Sequence, residues 1–153
     1  MNAETTHERV GEQSVRHRRE FDAPAAAVQR AHTDPELFAR WMGPRGTTVR
    51  FERFDAATGG AFRYAVVAGS AEFPFFGSYH RVSEGRIIHT WEYDGETEFT
   101  LEDLVFSDLP DGRSVLEVTS TYVSKAACDA MLASDLDEGM TENFSRLDEL
   151  LAA

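Results

Sequence analysis

The sequence predicts an α+β domain in which one antiparallel sheet buries a face against a long C-terminal helix. Three observations predict it. Six runs with strand-like alternation follow one another between residues 47 and 123, separated by "AATGG", "SEG", "DGET" and "LPDG", all turn chemistry. Joints this short imply an antiparallel meander. The run "SKAACDAMLASDLDEGMTENFSRLDELLAA" then switches to a helical period, and a sheet face and a helix stripe of this kind bury each other. The length of 153 residues suits a single domain, with about 68–70% of the unfolded chain's surface buried on folding.

In chain order, residues 1–12 ("MNAETTHERVGE") are polar and aperiodic and read as a disordered N-terminal tail, leaving 13–153 as one domain. "SVRHRREFDAP" reads as a strand with Val15, His17, Arg19 and Phe21 on one face. Asp22 is the expected cap of a short helix, "AAAVQRAHT", with Pro24 in its first turn. "DPELFARW" repeats the device, with Asp34 as cap, Pro35 at the start and Glu36 in the first turn. "FARWMGPRG" ends this second helix, where Gly43 permits the turn and Pro44 prevents further helix. The strands then follow: "TTVRFERFD", "GGAFRYAVVAG", "FFGSYHRVS", "RIIHTWEYD", "EFTLEDLVFSD" and "RSVLEVTSTYV". Ser124 caps a long last helix, whose stripe is Leu136, Met140, Asn143/Phe144, Leu147 and Leu150/Leu151.

Composition excludes several functions. With 15 basic and 27 acidic residues the net charge is −12, which argues against nucleic acid and against stable association with an anionic membrane. A single cysteine, Cys128, rules out an intrachain disulfide, and with no leader or long apolar run the expected setting is the cytoplasm. Cys128 reads as a buried structural thiol. There is no metal-spaced His or Cys set, and "ATGG" lacks the Lys-Ser/Thr and the helix of a phosphate loop, so neither metal nor cofactor is expected. Asp135, Asp137 and Glu138 read as a solvated acidic face.

"FDAPAAAVQRAHTDPELFARWMGP", "TGGAFRY", "GSYHRVSEGRIIHTWEY" and "YVSKAACDAMLASDLDEGMTENFSRLDELL" together resemble the bacterial members of the heat-shock-protein-90 ATPase activator-like family, within the START-like (SRPBCC) superfamily. The resemblance covers about residues 14–151. It implies a helix-grip (START-like, Bet v 1-like) fold, a curved antiparallel sheet wrapped around the last helix with an apolar cavity between them. Members of the superfamily bind lipids, sterols, plant hormones and polyketides, and a few are cyclases or aromatases. The name-giving eukaryotic activators carry an additional chaperone-binding domain for which this chain is too short, so chaperone activation is not the expected role.

The expected function is therefore binding of a small hydrophobic or aromatic ligand (lipid-, flavonoid- or polyketide-like), with a cyclase/aromatase-like enzyme or a chaperone co-regulator as alternatives. The candidate lining residues are Trp41, Phe62, Tyr64, Phe76, Tyr79, His89, Trp91, Tyr122, Met140 and Phe144. Aromatic bodies with hydroxyl, indole or imidazole tips are how small-molecule pockets combine apolar area with a few polar handles. Phe62, Tyr64 and Val66, then Ile87, His89, Trp91 and Tyr93, then Leu116, Val118, Ser120 and Tyr122 form the inward candidate faces of three strands. They either line a cavity or pack directly on the last helix. Trp41 is either a plug or a cavity wall. Phe73, Phe75 and Phe76, around Pro74, either reach a cavity mouth or form a surface patch, through which a homodimer is an open alternative. No residue is singled out as catalytic; were the protein an enzyme, His89, Tyr64 and Tyr79 would be its acid–base candidates.

Overall fold

Eight strands, all paired antiparallel, make up one open sheet among the described residues: β1 (Thr6–Val10), β2 (Ser14–Phe21), β3 (Thr48–Phe54), β4 (Ala61–Ala68), β5 (Ala71–Ser83), β6 (Arg86–Tyr93), β7 (Thr100–Asp108) and β8 (Ser114–Tyr122). The computed structural model of the chain describes residues 4–134 and 136–153, with side chains for 4–134 and 138–153. The spatial order is β1-β2-β8-β7-β6-β5-β4-β3. The meander from β3 to β8 therefore keeps its chain order, and the last strand returns to lie beside β2. Helices α1 (Ala25–Thr33), α2 (Pro35–Trp41), α3 (Lys125–Leu132) and α4 (Leu136–Ala152) complete the architecture, a helix-grip fold.

The expected alternation holds on β2, where Val15, His17, Arg19 and Phe21 are all buried. A buried guanidinium needs a counter-charge, because an unpaired buried ion is severely destabilising. Arg19 donates to both carboxylate oxygens of Asp148 on α4, through Nη1 at 3.2 Å and Nη2 at 2.5 Å. Beside this pair Leu147 is fully buried, and Phe144 sits edge-on to Phe21 at 5.5 Å between ring centroids. Burial of each of these apolar side chains contributes roughly 1.5–3 kcal/mol. At this end α4 is seated on the sheet.

Several local expectations are corrected. The strand β1 falls inside residues 1–12, which the sequence suggested as a disordered tail. It is an edge strand without alternating apolar residues, so it carries no periodic signal. It pairs with β2 through the turn at Gly11, whose φ of 76° favours glycine, and Arg9 reaches Asp129 of α3 at 2.7 Å. Asp22 does not cap α1. It pairs with Arg113 at 2.9 Å, and the first N–H of α1, that of Ala25, is instead accepted by Asp108 at the end of β7, also at 2.9 Å. Asp34 does cap α2, accepting from the Glu36 N–H at 3.0 Å. Ser124 caps α3, accepting from Ala127 at 3.0 Å. The long last helix is two helices. Near the break the Ser134 hydroxyl donates to the Met131 carbonyl at 2.6 Å, so a side chain competes with the next helical hydrogen bond. Asp135 and the side chains of Leu136 and Asp137, part of the expected acidic face and apolar stripe, lie outside the described residues.

Cys128 on α3 is fully buried against Val15 and Tyr122. No helix among the described residues is long and apolar enough to cross a membrane.

Gly77 on β5 tests the packing of the sheet. A Cβ there would overlap the Thr90 carbonyl oxygen of β6 and lie 2.6 Å from the Phe62 ring on β4. Neither backbone nor a buried ring yields cheaply, so Gly77→Ala is expected to cost at least about 2–3 kcal/mol in urea unfolding. Alanine at the open Gly46, despite its φ of 85°, supplies a comparison for backbone strain without overlap.

Candidate functional site

Towards the other end of α4 the sheet and helices do not meet. A cavity of about 600 Å³ lies between them. Well-packed interiors have few voids larger than a water molecule, so this space is a feature of the fold rather than slack. Nine of the ten residues expected from the sequence line it: Trp41, Phe62, Tyr64, Tyr79, His89, Trp91, Tyr122, Met140 and Phe144.

Phe76 is the exception. Strand alternation turns Phe73, Phe75, Gly77 and Tyr79 of β5 one way and Phe76 the other. Phe73 and Phe75 reach the cavity, Phe73 as a half-exposed rim residue, while Phe76 stacks under the Arg63 guanidinium at 4.6 Å. Since Phe76 and Tyr79 are three apart on one regular stretch, they cannot both face inward.

Trp41 is both plug and wall. It is 2% exposed, its indole N–H donates to the Ala31 carbonyl at 2.9 Å, and its ring packs among His32, Phe38 and Phe144 while also bordering the cavity. Arg146 of α4 fixes the turn that follows. Its guanidinium donates to the carbonyls of Arg40 at 3.0 Å and Met42 at 3.3 Å, so a cation satisfies the carbonyl end of α2. Gly43, with φ of 88°, passes so close to Val66 and Thr47 that a Cβ would press on both.

The floor of the cavity is built by cross-strand register. Tyr79 of β5 pairs with His89 of β6, His89 with Glu102 of β7, and Glu102 with Ser120 of β8. All four line the cavity as one polar row on an otherwise aromatic and aliphatic surface. The Ser120 hydroxyl donates to Glu102 Oε2 at 2.5 Å. The next row is Trp91, Thr100 and Tyr122. Phe75 stacks on Trp91 at 4.8 Å, and the Trp91 indole N–H points to the Tyr64 hydroxyl at 3.4 Å.

Burial controls the charge state of these groups. Desolvation raises Glu102 from the ordinary 4.5 to about 7, with the Ser120 hydrogen bond opposing it. Burial lowers His32 to about 4 and lowers His89 as well, even though each ring bonds a backbone carbonyl through Nδ1, of Val28 and Thr90 respectively. Both imidazoles are neutral at pH 7, with Nδ1 as the donor. Tyr64 and Tyr122 are pushed up to about 12 by burial, and Tyr79 is raised too, so all three remain phenols.

Glu102 and His32 are two polar lining residues that the sequence reading missed. The signal for Glu102 was present in "TLEDLVF": it is in phase with Thr100, Leu104 and Phe106, all buried. An acid among inward positions of a strand is the kind of buried polar group that calls for an explanation. His32 carries no such signal, because its helix is too short for its buried face to be read. Among the described residues no cluster of three His, Cys, Asp or Glu side chains is disposed to hold a metal.

With the cavity described, its setting among known proteins can be given. A family model described as "Activator of Hsp90 ATPase homolog 1-like protein" matches residues 22–152. No match is found among curated proteins. A crystal structure of a Rhodobacter sphaeroides protein is similar at 26% identity and a TM-score of 0.87, over 96% of this chain and 97% of that one. A solution structure of a Staphylococcus epidermidis protein is similar at 25% identity and a TM-score of 0.85, over 96% and 93%. CalU16 from Micromonospora echinospora, at 20% identity and a TM-score of 0.65 over 99% and 87%, shares the fold.

The raised Glu102 pKa sets a stability profile. Between the unfolded value near 4.5 and the folded value of about 7 the folded state holds the extra proton, so this group lowers stability as pH rises through that window. His32 acts oppositely: its depressed value makes stability fall as pH drops from 6.5 towards about 4. The two largely offset each other in the parent. Glu102→Gln removes one of them, so its gain over the parent is expected to be small at about pH 4.5 and to reach up to roughly 3 kcal/mol at about pH 8. Chemical denaturation of both proteins at the two pH values measures it.

Proposed function

Because the chain belongs to the activator of Hsp90 ATPase homolog 1-like protein family and its sheet and last helix enclose an aromatic-lined cavity, we propose that it binds a small hydrophobic or aromatic ligand, lipid-, flavonoid- or polyketide-like, in that cavity. The observation that carries this reading is the unfilled space of about 600 Å³. That is the size range of small-molecule sites, and its walls are apolar with a few convergent polar groups. Affinity comes from burying the ligand's apolar surface at roughly 25 cal/mol per Å², less the costs of association. Met42, Met131 and Met140 give the wall unbranched, adaptable side chains that suit more than one ligand shape. Binding of this kind needs neither a chaperone partner nor a second copy of the chain.

One observation favours a second reading, an acid–base enzyme of the cyclase or aromatase type. Tyr79, His89, Glu102 and Ser120 stand in one row, and a carboxyl with a pKa of about 7 is poised to exchange protons at neutral pH. Mass spectrometry of a bound aromatic polyketide, before and after incubation, distinguishes the two. An unchanged mass and chromatographic retention supports the carrier, whereas loss of water supports the enzyme.

The test of the first reading is an amide-shift titration against sterols, flavonoids, aromatic polyketides and fatty acids. Shifts are expected to cluster at Trp41, His89, Trp91 and the Met140 turn of α4. Met140→Trp, which fills the cavity from the helix side, is expected to keep the fold and weaken binding by about tenfold or more. Absence of shifts with every class, in protein shown to be free of co-purified ligand, would count against a cavity carrier. Trp41→Ala is expected to cost about 3–5 kcal/mol of stability, since it empties a buried, hydrogen-bonded position as well as a wall.

A further inference from the structure

Donors and acceptors both reach the cavity, but they are not spread evenly along it. On β6 to β8 they meet one another. The Ser120 hydroxyl donates to Glu102 at 2.5 Å, and Tyr122 interacts with both. The His89 imidazole spends its Nδ1 proton on the Thr90 carbonyl at 2.8 Å, which leaves Nε2 as an acceptor, and Tyr79 stands beside that ring at 5.8 Å between centroids. From α4, Asn143 Nδ2 donates to the Met42 sulfur at 3.7 Å. Tyr64, on β4, has different company. Its ring packs against Phe38, Phe51, Phe62 and Phe75, whose side chains carry no polar atom, and the residue is 4% exposed. The Trp91 indole N–H points to its hydroxyl oxygen at 3.4 Å. An indole nitrogen can only donate, so at this contact Tyr64 is the acceptor and keeps its own proton for another partner. Among the described residues that proton has no acceptor. Burial pushes the phenol up to about 12, so the proton is present at pH 7. A buried donor without an acceptor is costly, and buried polar groups in native proteins are nearly always partnered.

We propose that Tyr64 is the residue that orients the ligand, by donating its hydroxyl hydrogen bond to a neutral carbonyl oxygen, and that the preferred ligands are aromatic ketones. This inference rests on the cavity-binding reading given above and adds to it a chemical class and a point of attachment. The Trp91 N–H does two things for the donor. It occupies one side of the phenolic oxygen, so the hydroxyl proton is directed to another. It also polarises the O–H, because hydrogen bonds in a chain strengthen one another. A ketone oxygen fits this corner well. It is a strong acceptor, and it brings no proton that would need a partner of its own among the phenylalanine rings. A carboxylate would have to give up its hydration against the same rings in return for one hydrogen bond. The rings around Tyr64 supply flat apolar contact for the body of the ligand.

A matched pair of probes tests the inference: acetylpyrene and ethylpyrene, which differ by a carbonyl oxygen in place of two hydrogens. Calorimetric titration gives their affinities, and infrared difference spectroscopy with an isotope-labelled carbonyl gives the stretching frequency of the bound ketone. Tyr64→Phe is expected to weaken acetylpyrene by about tenfold, the size of one hydrogen bond lost with the ligand oxygen left unpaired, and ethylpyrene by less than about twofold. The carbonyl stretch of bound acetylpyrene should lie at lower frequency in the parent than in Tyr64→Phe. Tyr93→Phe, which alters a phenol that touches Phe75 from outside the cavity lining, should change neither reading. The inference is overturned if Tyr64→Phe weakens both probes equally or neither. It is also overturned if the carbonyl frequency does not respond to Tyr64→Phe, because the donor then lies elsewhere in the lining. Should Tyr64→Phe fail to fold, nuclear Overhauser contacts of the acetyl methyl in the parent decide: contacts to the Tyr64 ring protons support the inference and their absence overturns it. If neither probe binds, the cavity reading fails and this inference falls with it; if both bind and acetylpyrene owes nothing to Tyr64, only the inference fails.

Discussion

The cavity lies beside the first half of α4 because the helix is seated on the sheet through its second half. The seat is the Arg19–Asp148 ion pair, flanked by Phe21, Phe144 and Leu147. Placing a guanidinium on an inward position of β2 commits the helix to bring an acid to that point, since the alternative is an uncompensated charge in the core. Two residues before Asp148, Arg146 takes hold of the carbonyls of Arg40 and Met42 and so ties the same part of α4 to α2 and the turn after it. Gly139, Met140, Glu142 and Asn143, earlier on the helix, border the cavity.

Within that space two effects compete at each polar side chain. Desolvation drives every group towards neutrality, whereas hydrogen bonds from neighbours favour particular charged forms. Desolvation wins at His32, at His89 and at the three tyrosines, and it nearly wins at Glu102, whose ionisation sits at about 7 despite the Ser120 donor. Consequently His32, His89 and the three tyrosines are neutral at pH 7, and Glu102 stands close to its titration point.

Most of this was legible in the sequence, for a definite reason. The inward faces of β4, β6 and β8 repeat with period two and are rich in aromatic or branched residues, so Phe62, Tyr64, His89, Trp91 and Tyr122 were found by parity alone. Where parity was not carried through, at Phe76, the reading failed, and the pairing of Phe75 with Tyr93 and of Tyr79 with His89 fixes which residues face inward. β1 was invisible because an edge strand with polar residues on both sides has no pattern to read. The break between α3 and α4 was hidden because no proline interrupts "SKAACDAMLASDLDEGMTENFSRLDELLAA". Glu102 was passed over because an acid on a strand is ordinarily at the surface; only the buried Thr100, Leu104 and Phe106 on the same face show otherwise. The Arg146 contacts join residues about a hundred positions apart, and no local pattern encodes a guanidinium meeting backbone carbonyls at that separation.

The separation of seat from cavity also bears on how such a protein changes over time. Residues that hold the helix, such as Arg19, Asp148 and Leu147, are distinct from those of the polar row on β5 to β8. Substitutions in that row change the cavity's surface without touching the residues that anchor the helix. A scaffold divided in this way lets the surface of the cavity and the anchoring of the helix change independently.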